Sequence, residues 1–204
     1  MLQTRHGFTM FNEYDLRANL EGKINFLKKD VESDRTILKP DFSESEYTSQ
    51  KIRQNKIDPL VLHTDRIIVS QIETNIPGNS FPSGYIVEPY QTYTKPVIIF
   101  HLPFEGNSNL LRCLPSTRLM WTDEITVEGD NIIFELINFN NDVTGLQQSK
   151  DQFLKNLEQQ ILYINKEVDT YNASLENVVK ESITKGKEKI KIQDDILKKL
   201  GNPA

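Results

Sequence analysis

Three histidines, one cysteine and a lysine-dense tail are the residues from which a reactive site would have to be assembled. His6, His63 and His101 lie in separate segments, and none has a second histidine or a cysteine at metal-ligand spacing. His63 and Asp65 can be drawn as two ligands, but His63-Thr64-Asp65 reads better as a turn between strands. Cys113, inside Leu110-Leu111-Arg112-Cys113-Leu114-Pro115, reads as a small buried hydrophobe rather than a nucleophile. The glycines are scattered and form no phosphate-cradling loop. A metal-dependent nuclease needs an acid and, further on, an acid-x-Lys pair at the end of a neighbouring strand. Glu21-Gly22-Lys23 behind Asp15 falls within an amphipathic helix, and Glu88, Glu124 and Glu135 have no lysine two residues later. These residues predict no catalytic constellation, no metal and no cofactor.

The lysines pose a different question. Lys185, Lys187, Lys189 and Lys191 alternate, and residues 180–199 carry seven lysines against four acids. That makes them candidate polyanion contacts, and with Arg112, Arg118 and Lys95 they define an alternative reading as a nucleic-acid-binding module. The plainer reading is a solvated helix face with Glu181, Glu188, Asp194 and Asp195 interspersed. No aromatic side chain is interleaved to stack bases. The net charge of −5 and pI near 5.3 exclude a general attraction to nucleic acid or anionic lipid.

The elements that would position these residues are easier to read. Leu154, Leu157, Ile161, Ile164, Val168, Tyr171, Leu175 and Val178 follow at spacings of 3, 4, 3, 4, 3, 4 and 3, the pattern of a coiled-coil seam. Two readings stand: a projecting helix that pairs with a second copy or a helical partner, or packing against the chain's own β-domain or N-terminal helix. The flanking positions offer no opposite charges to set orientation. Gly186, with Ser182 and Lys185 at would-be core positions, predicts a stutter or break near 182–187.

Upstream, Leu16, Leu20, Ile24, Leu27 and Val31 form one apolar stripe, and a second, polar helix is expected over 43–56, before Pro59. Between 59 and 140 short β-branched runs alternate with Pro, Gly and Asn, with no helical pattern between them. Strands are expected at 60–62, 66–72, 85–90, 95–104, 109–114 and 118–121, then a hairpin at Gly129-Asp130 within 124–139. Pro89, Pro96, Pro103 and Pro115 are expected at edges, strand ends or bulges. The fold class is therefore α+β: a helical lead over 10–58, an antiparallel sheet or sandwich over 59–140, and a long coiled-coil-like helix over 141–201.

No apolar stretch approaches the ~20 residues that span a bilayer, and Met1–Thr9 lack the apolar core of a secretory signal. Those nine residues show no pattern, so Met10 is an equally good start. A cytoplasmic protein that binds no membrane is expected, and the lone cysteine fits a reducing compartment. The loops 75–84 and 105–109 are the segments freest to make contacts.

Several phrases occur together: LRANLEGKINFLKKDVESD at 16–34, IDPLVLH at 57–63, FHLPFEGNSNLLRCLPST at 100–117, IIFELINFNND at 132–142 and ILKKLGNP at 196–203. They resemble the N-terminal, non-catalytic region of a group of uncharacterised bacterial proteins that carry a C-terminal restriction-endonuclease-like domain. The chain ends where that domain would begin, so no catalytic residue is carried over. The resemblance implies a sensing, specificity or assembly module associated with DNA-targeting defence.

Overall fold

The computed structural model describes residues 7–140 and 142–201. His6, Asn141 and the Asn202-Pro203 end of the last phrase lie outside them. Chain order is β1 (Phe8–Thr9), β2 (Tyr14–Asp15), α1 (Leu16–Ser33), α2 (Glu44–Asn55), β3 (Val61–Leu62), β4 (Ile68–Pro77), β5 (Thr92–Glu105), β6 (Cys113–Leu114), β7 (Glu124–Glu128), β8 (Asn131–Ile137) and α3 (Val143–Lys199). This is a mixed helix and strand protein with a curled antiparallel half-barrel sheet and a long C-terminal helix. No helix among the described residues is long and apolar enough to cross a membrane.

Two compact units interleave along the chain. The first comprises the described residues of Met1–Tyr14 together with Leu60–Ile164, and the second Asp15–Pro59 with the described residues of Asn165–Ala204.

In the first unit six strands form the sheet, with β1-β7-β8-β5 in order and both β3 and β4 on the far side of β5. Phe8 and Thr9, patternless as sequence, pair with Ile125 and Glu124. The β7–β8 hairpin turns at Gly129, whose φ of 57° supplies the left-handed position that a two-residue hairpin loop needs. One face of the sheet packs on α3. Phe100 stacks on Phe134 at 4.7 Å, Phe134 on Phe153 of α3 at 3.9 Å, and Trp121 meets Phe153 edge-on at 5.5 Å. On the opposite face Ile76, Val97, Ile99 and Ile133 form a second cluster under Phe81, Ile137 and Phe139.

Two expected strands are absent and a third is reduced to the two residues of β6. Residues 85–90 and 118–121 are irregular, and 109–114 is mainly a 3-10 turn over Ser108–Arg112. Their apolar residues are loop anchors: Tyr85 packs on Phe81 and Phe139, while Leu110 and Leu111 fill the core. Pro96 and Pro103 also depart from expectation, because β5 has neighbours on both sides. In an antiparallel ladder a residue's N–H and C=O address the same neighbour. The Pro96 carbonyl accepts from Asn138, just past the end of β8, and the Pro103 carbonyl accepts from His63, just past β3. Each missing donor therefore falls where a ladder has already ended.

The second unit packs α1 and α2 with residues 165–199 of α3. Asp15 caps α1 through the Ala18 N–H at 2.7 Å, and Ser43 caps α2 through Glu46. The heptad row is buried along both units, Leu157, Ile161 and Ile164 in the first and Val168, Tyr171 and Leu175 in the second. All six are buried within one chain, whereas Leu154 and Val178 are only half-buried. The buried row runs Leu157, Ile161, Ile164, Val168, Tyr171, Leu175, Val179, Ser182, Gly186 and Ile190, in steps of 4, 3, 4, 3, 4, 4, 3, 4 and 4. That is close to the ~3.6-residue period of a straight helix rather than the 3.5 of a supercoil. The helix does not break at Gly186 either. A Cβ there would stand 2.8 Å from Ile37 Cδ1 and 3.0 Å from Glu32 Cα, so glycine permits close approach of α3 to the end of α1.

Candidate interaction surface

The half-barrel leaves one long edge open. β4 pairs with β5 over all ten of its residues, from Ile68 opposite His101 to Pro77 opposite Thr92, and no other strand among the described residues pairs with it. Its outward N–H and C=O groups form an unused ladder. Side chains alternate across the strand, so Ile68 and Ile72 share the face of Val97 and Ile99, and Val69 shares the face of Phe100. All three are exposed, at 66%, 40% and 56%. Cores normally take such β-branched side chains, and edges normally carry lysine, proline or a bulge to deter pairing. From Ile68 to Ile72 β4 has none of these and carries no charge.

The charges beside this edge are mostly acidic. Asp65, in the turn before β4, is 80% exposed, and Glu105 at the end of β5 is 72% exposed. Glu73 is exposed on β4 itself. Arg66 stands 3.9 Å from Asp65. Lys95 donates to the Phe139 carbonyl at 2.9 Å and lies over the Phe81 ring. The β unit carries seven basic against 13 acidic side chains, a net charge of −6, whereas the rest of the chain carries +1.

Two histidine pairs lie along the same strand. His63 Nε2 is 3.0 Å from Glu105 Oε1, and His101 Nε2 is 3.4 Å from Ser70 Oγ. Sequence spacing gave no sign of either pair; the β3–β5 and β4–β5 registers create them. A serine beside an imidazole is the beginning of a nucleophile–base pair, but such a pair also needs a group that orients the base. No such third partner of His101 occurs among the described residues. No cluster of three or more His, Cys, Asp or Glu side chains suited to a metal occurs among the described residues. Cys113 is buried, its thiol directed at the Asn109 carbonyl at 3.4 Å.

The structure disperses the candidate polyanion contacts. At ~100° per residue, alternate helical positions fall on nearly opposite faces, so Lys185 and Lys189 face one way and Lys187 and Lys191 the other. Lys187 lies 3.8 Å from Glu44 and over the Phe42 ring, and Lys189 lies 3.9 Å from Glu32. Arg112 is bonded to Glu13 and stacked on Phe8. Of the residues assigned to the nucleic-acid reading, Arg118 is exposed and the others named here are divided or engaged.

The loops expected to make contacts also behave differently from one another. Residues 75–77 belong to β4, and Phe81 turns inward against Tyr93, Tyr85 and Phe139. Ile86 and Tyr90 in the continuation of that loop are fully exposed. In the core beside α3, the Gln160 Oε1 accepts the Leu119 N–H at 2.9 Å while its buried Nε2 has no partner. Burial raises the pKa of Asp123, whose carbonyl receives the Met10 N–H.

No protein-family model matches the chain, and neither a curated protein nor a solved structure matches it.

Proposed function

We propose that this protein is a non-enzymatic binding module whose β unit takes up an extended segment of another protein along the outer edge of β4. The observation that carries this reading is the ten-residue unpaired edge with Ile68, Val69 and Ile72 exposed. Strand addition uses such an edge directly: main-chain hydrogen bonds supply affinity, and alternate side chains supply selection. The resemblance noted above supports reading the chain as a sensing, specificity or assembly module associated with DNA-targeting defence.

The test is selection from a displayed library of random peptides against the full chain. Recovered peptides should be extended, rich in β-branched residues, and lost when Ile68 and Ile72 are both replaced by asparagine. Peptides that bind the double variant as well as the parent chain would reject the β4 edge as the site.

A further inference from the structure

We infer that the β4 edge is selective for a positively charged extended segment, one in which β-branched residues alternate with lysine or arginine. This rests on the strand-addition reading above and adds the chemistry of the partner. An incoming strand paired with β4 would place one set of side chains beside Ile68, Ser70 and Ile72, and the alternate set beside Val69, Gln71 and Glu73. The first set meets two exposed isoleucines and is apolar. The second meets Glu73, the one charged residue of β4, and Asp65 stands exposed in the turn just before Ile68. Of the two basic side chains nearest this edge, Arg66 is beside Asp65 and Lys95 is bonded to the Phe139 carbonyl. Behind the edge stands a unit of net charge −6, whose field favours arrival of a basic segment.

The competing occupant is a second copy of the chain. An antiparallel two-fold about Ser70 would set Ile68 of each β4 opposite Ile72 of the other. It would also bring together two β units of the same strong negative charge, with Arg66 of each copy, already beside its own Asp65, the one basic side chain near Glu73 of the other. A basic partner satisfies the apolar pairing without that repulsion, and like charges across an interface select against the wrong partner.

The experiment uses the full chain and three fluorescent, end-capped decapeptides of alternating valine and lysine, valine and serine, or valine and glutamate. Anisotropy titrations at about 50 mM and 0.5 M salt are paired with light scattering of the protein alone. The valine–lysine peptide should bind about tenfold more tightly than the valine–serine peptide at low salt, with the gap closing at high salt. Glu73→Gln should weaken the lysine peptide several-fold and leave the serine peptide unchanged. The Ile68→Asn/Ile72→Asn variant should lose both while melting as the parent does. Equal binding of all three peptides, abolished by the double variant, would overturn the charge selectivity and leave the edge reading standing. A dimeric mass with no peptide binding, abolished by the same variant, would assign the edge to a second copy and overturn the inference. A monomer that binds none of the peptides would overturn both readings.

Discussion

The Asn172 side chain holds both backbone groups of Ile57: its Oδ1 accepts the Ile57 N–H at 3.0 Å, and its Nδ2 donates to the Ile57 carbonyl at 2.8 Å. Beside it the Tyr171 hydroxyl donates to the Asn55 carbonyl at 3.0 Å. Two adjacent residues of α3 thus do for the chain leaving α2 what a neighbouring strand would do. Replacing Asn172 by leucine strands a donor and an acceptor and should cost about 2 kcal/mol. Asn172→Asp keeps the acceptor but loses the donor. Thermal unfolding followed by circular dichroism should show both variants less stable than the parent; no change in either would mean that water serves Ile57 equally well.

Gly186→Ala should destabilise the protein although alanine is the better helix former by ~1 kcal/mol. The new methyl would press on Glu32 backbone atoms and Ile37, and overpacking of this kind costs about 1–3 kcal/mol. Urea unfolding gives the sign directly. A more stable variant would show that α1 yields without loss.

The period of the α3 stripe was legible in the sequence, but what covers the stripe was not. Leu157 through Leu175 satisfy a heptad template and a straight-helix template equally well over five turns. The templates separate only at Val179, where the buried row takes a second consecutive step of 4. Covalent distance concealed the partners, because Asn55 and Ile57 lie more than a hundred residues upstream of the side chains that bind them. Strand reading succeeded where turn chemistry marked it, as at Gly129-Asp130. It failed at 85–90 and 109–114, where apolar residues anchor loops. The β4 edge was invisible for a related reason: a β-branched run looks the same whether its second neighbour is present or missing.

Replacing Ile164 and Val168 together by aspartate separates burial from self-association. Both side chains are fully buried in the single chain, so two unpaired charges would enter the interior at a cost well above the ~1 kcal/mol typical of a substitution. Loss of helical ellipticity and of cooperative melting is expected. A well-folded variant whose light-scattering mass has halved would instead restore the seam as a dimer contact.

Asp34 gives the second unit an acid-sensitive point. Burial alone would raise its pKa, but hydrogen bonds from the Thr36 side chain and N–H and from Tyr47, with Lys51 nearby, outweigh it and hold the carboxyl below its ordinary 3.8. Burial and the same bond to Asp34, at 2.8 Å, push the Tyr47 hydroxyl up. A lowered carboxyl contributes stability that is fully present above its unfolded value and is lost as pH falls through the folded one. The stability difference between the parent and Asp34→Asn should therefore shrink as pH falls from about 5 towards 2. Denaturant titrations across that range would contradict this by showing a constant gap.

The interleaving of the two units constrains the order in which a nascent chain can fold. Everything needed for the half-barrel and its α3 cover has been synthesised by Ile164, whereas α1 and α2 wait for Asn165 onward. At ~5–20 residues per second, the hundred or so residues in between take roughly 5–20 s to make. During that interval Leu16, Leu20, Leu27 and Val31 have no α3 residues from their own unit to pack against. Both helices therefore emerge from the ribosome well before the segment of α3 that buries them, and a chaperone that recognises amphipathic helices would meet them in that interval.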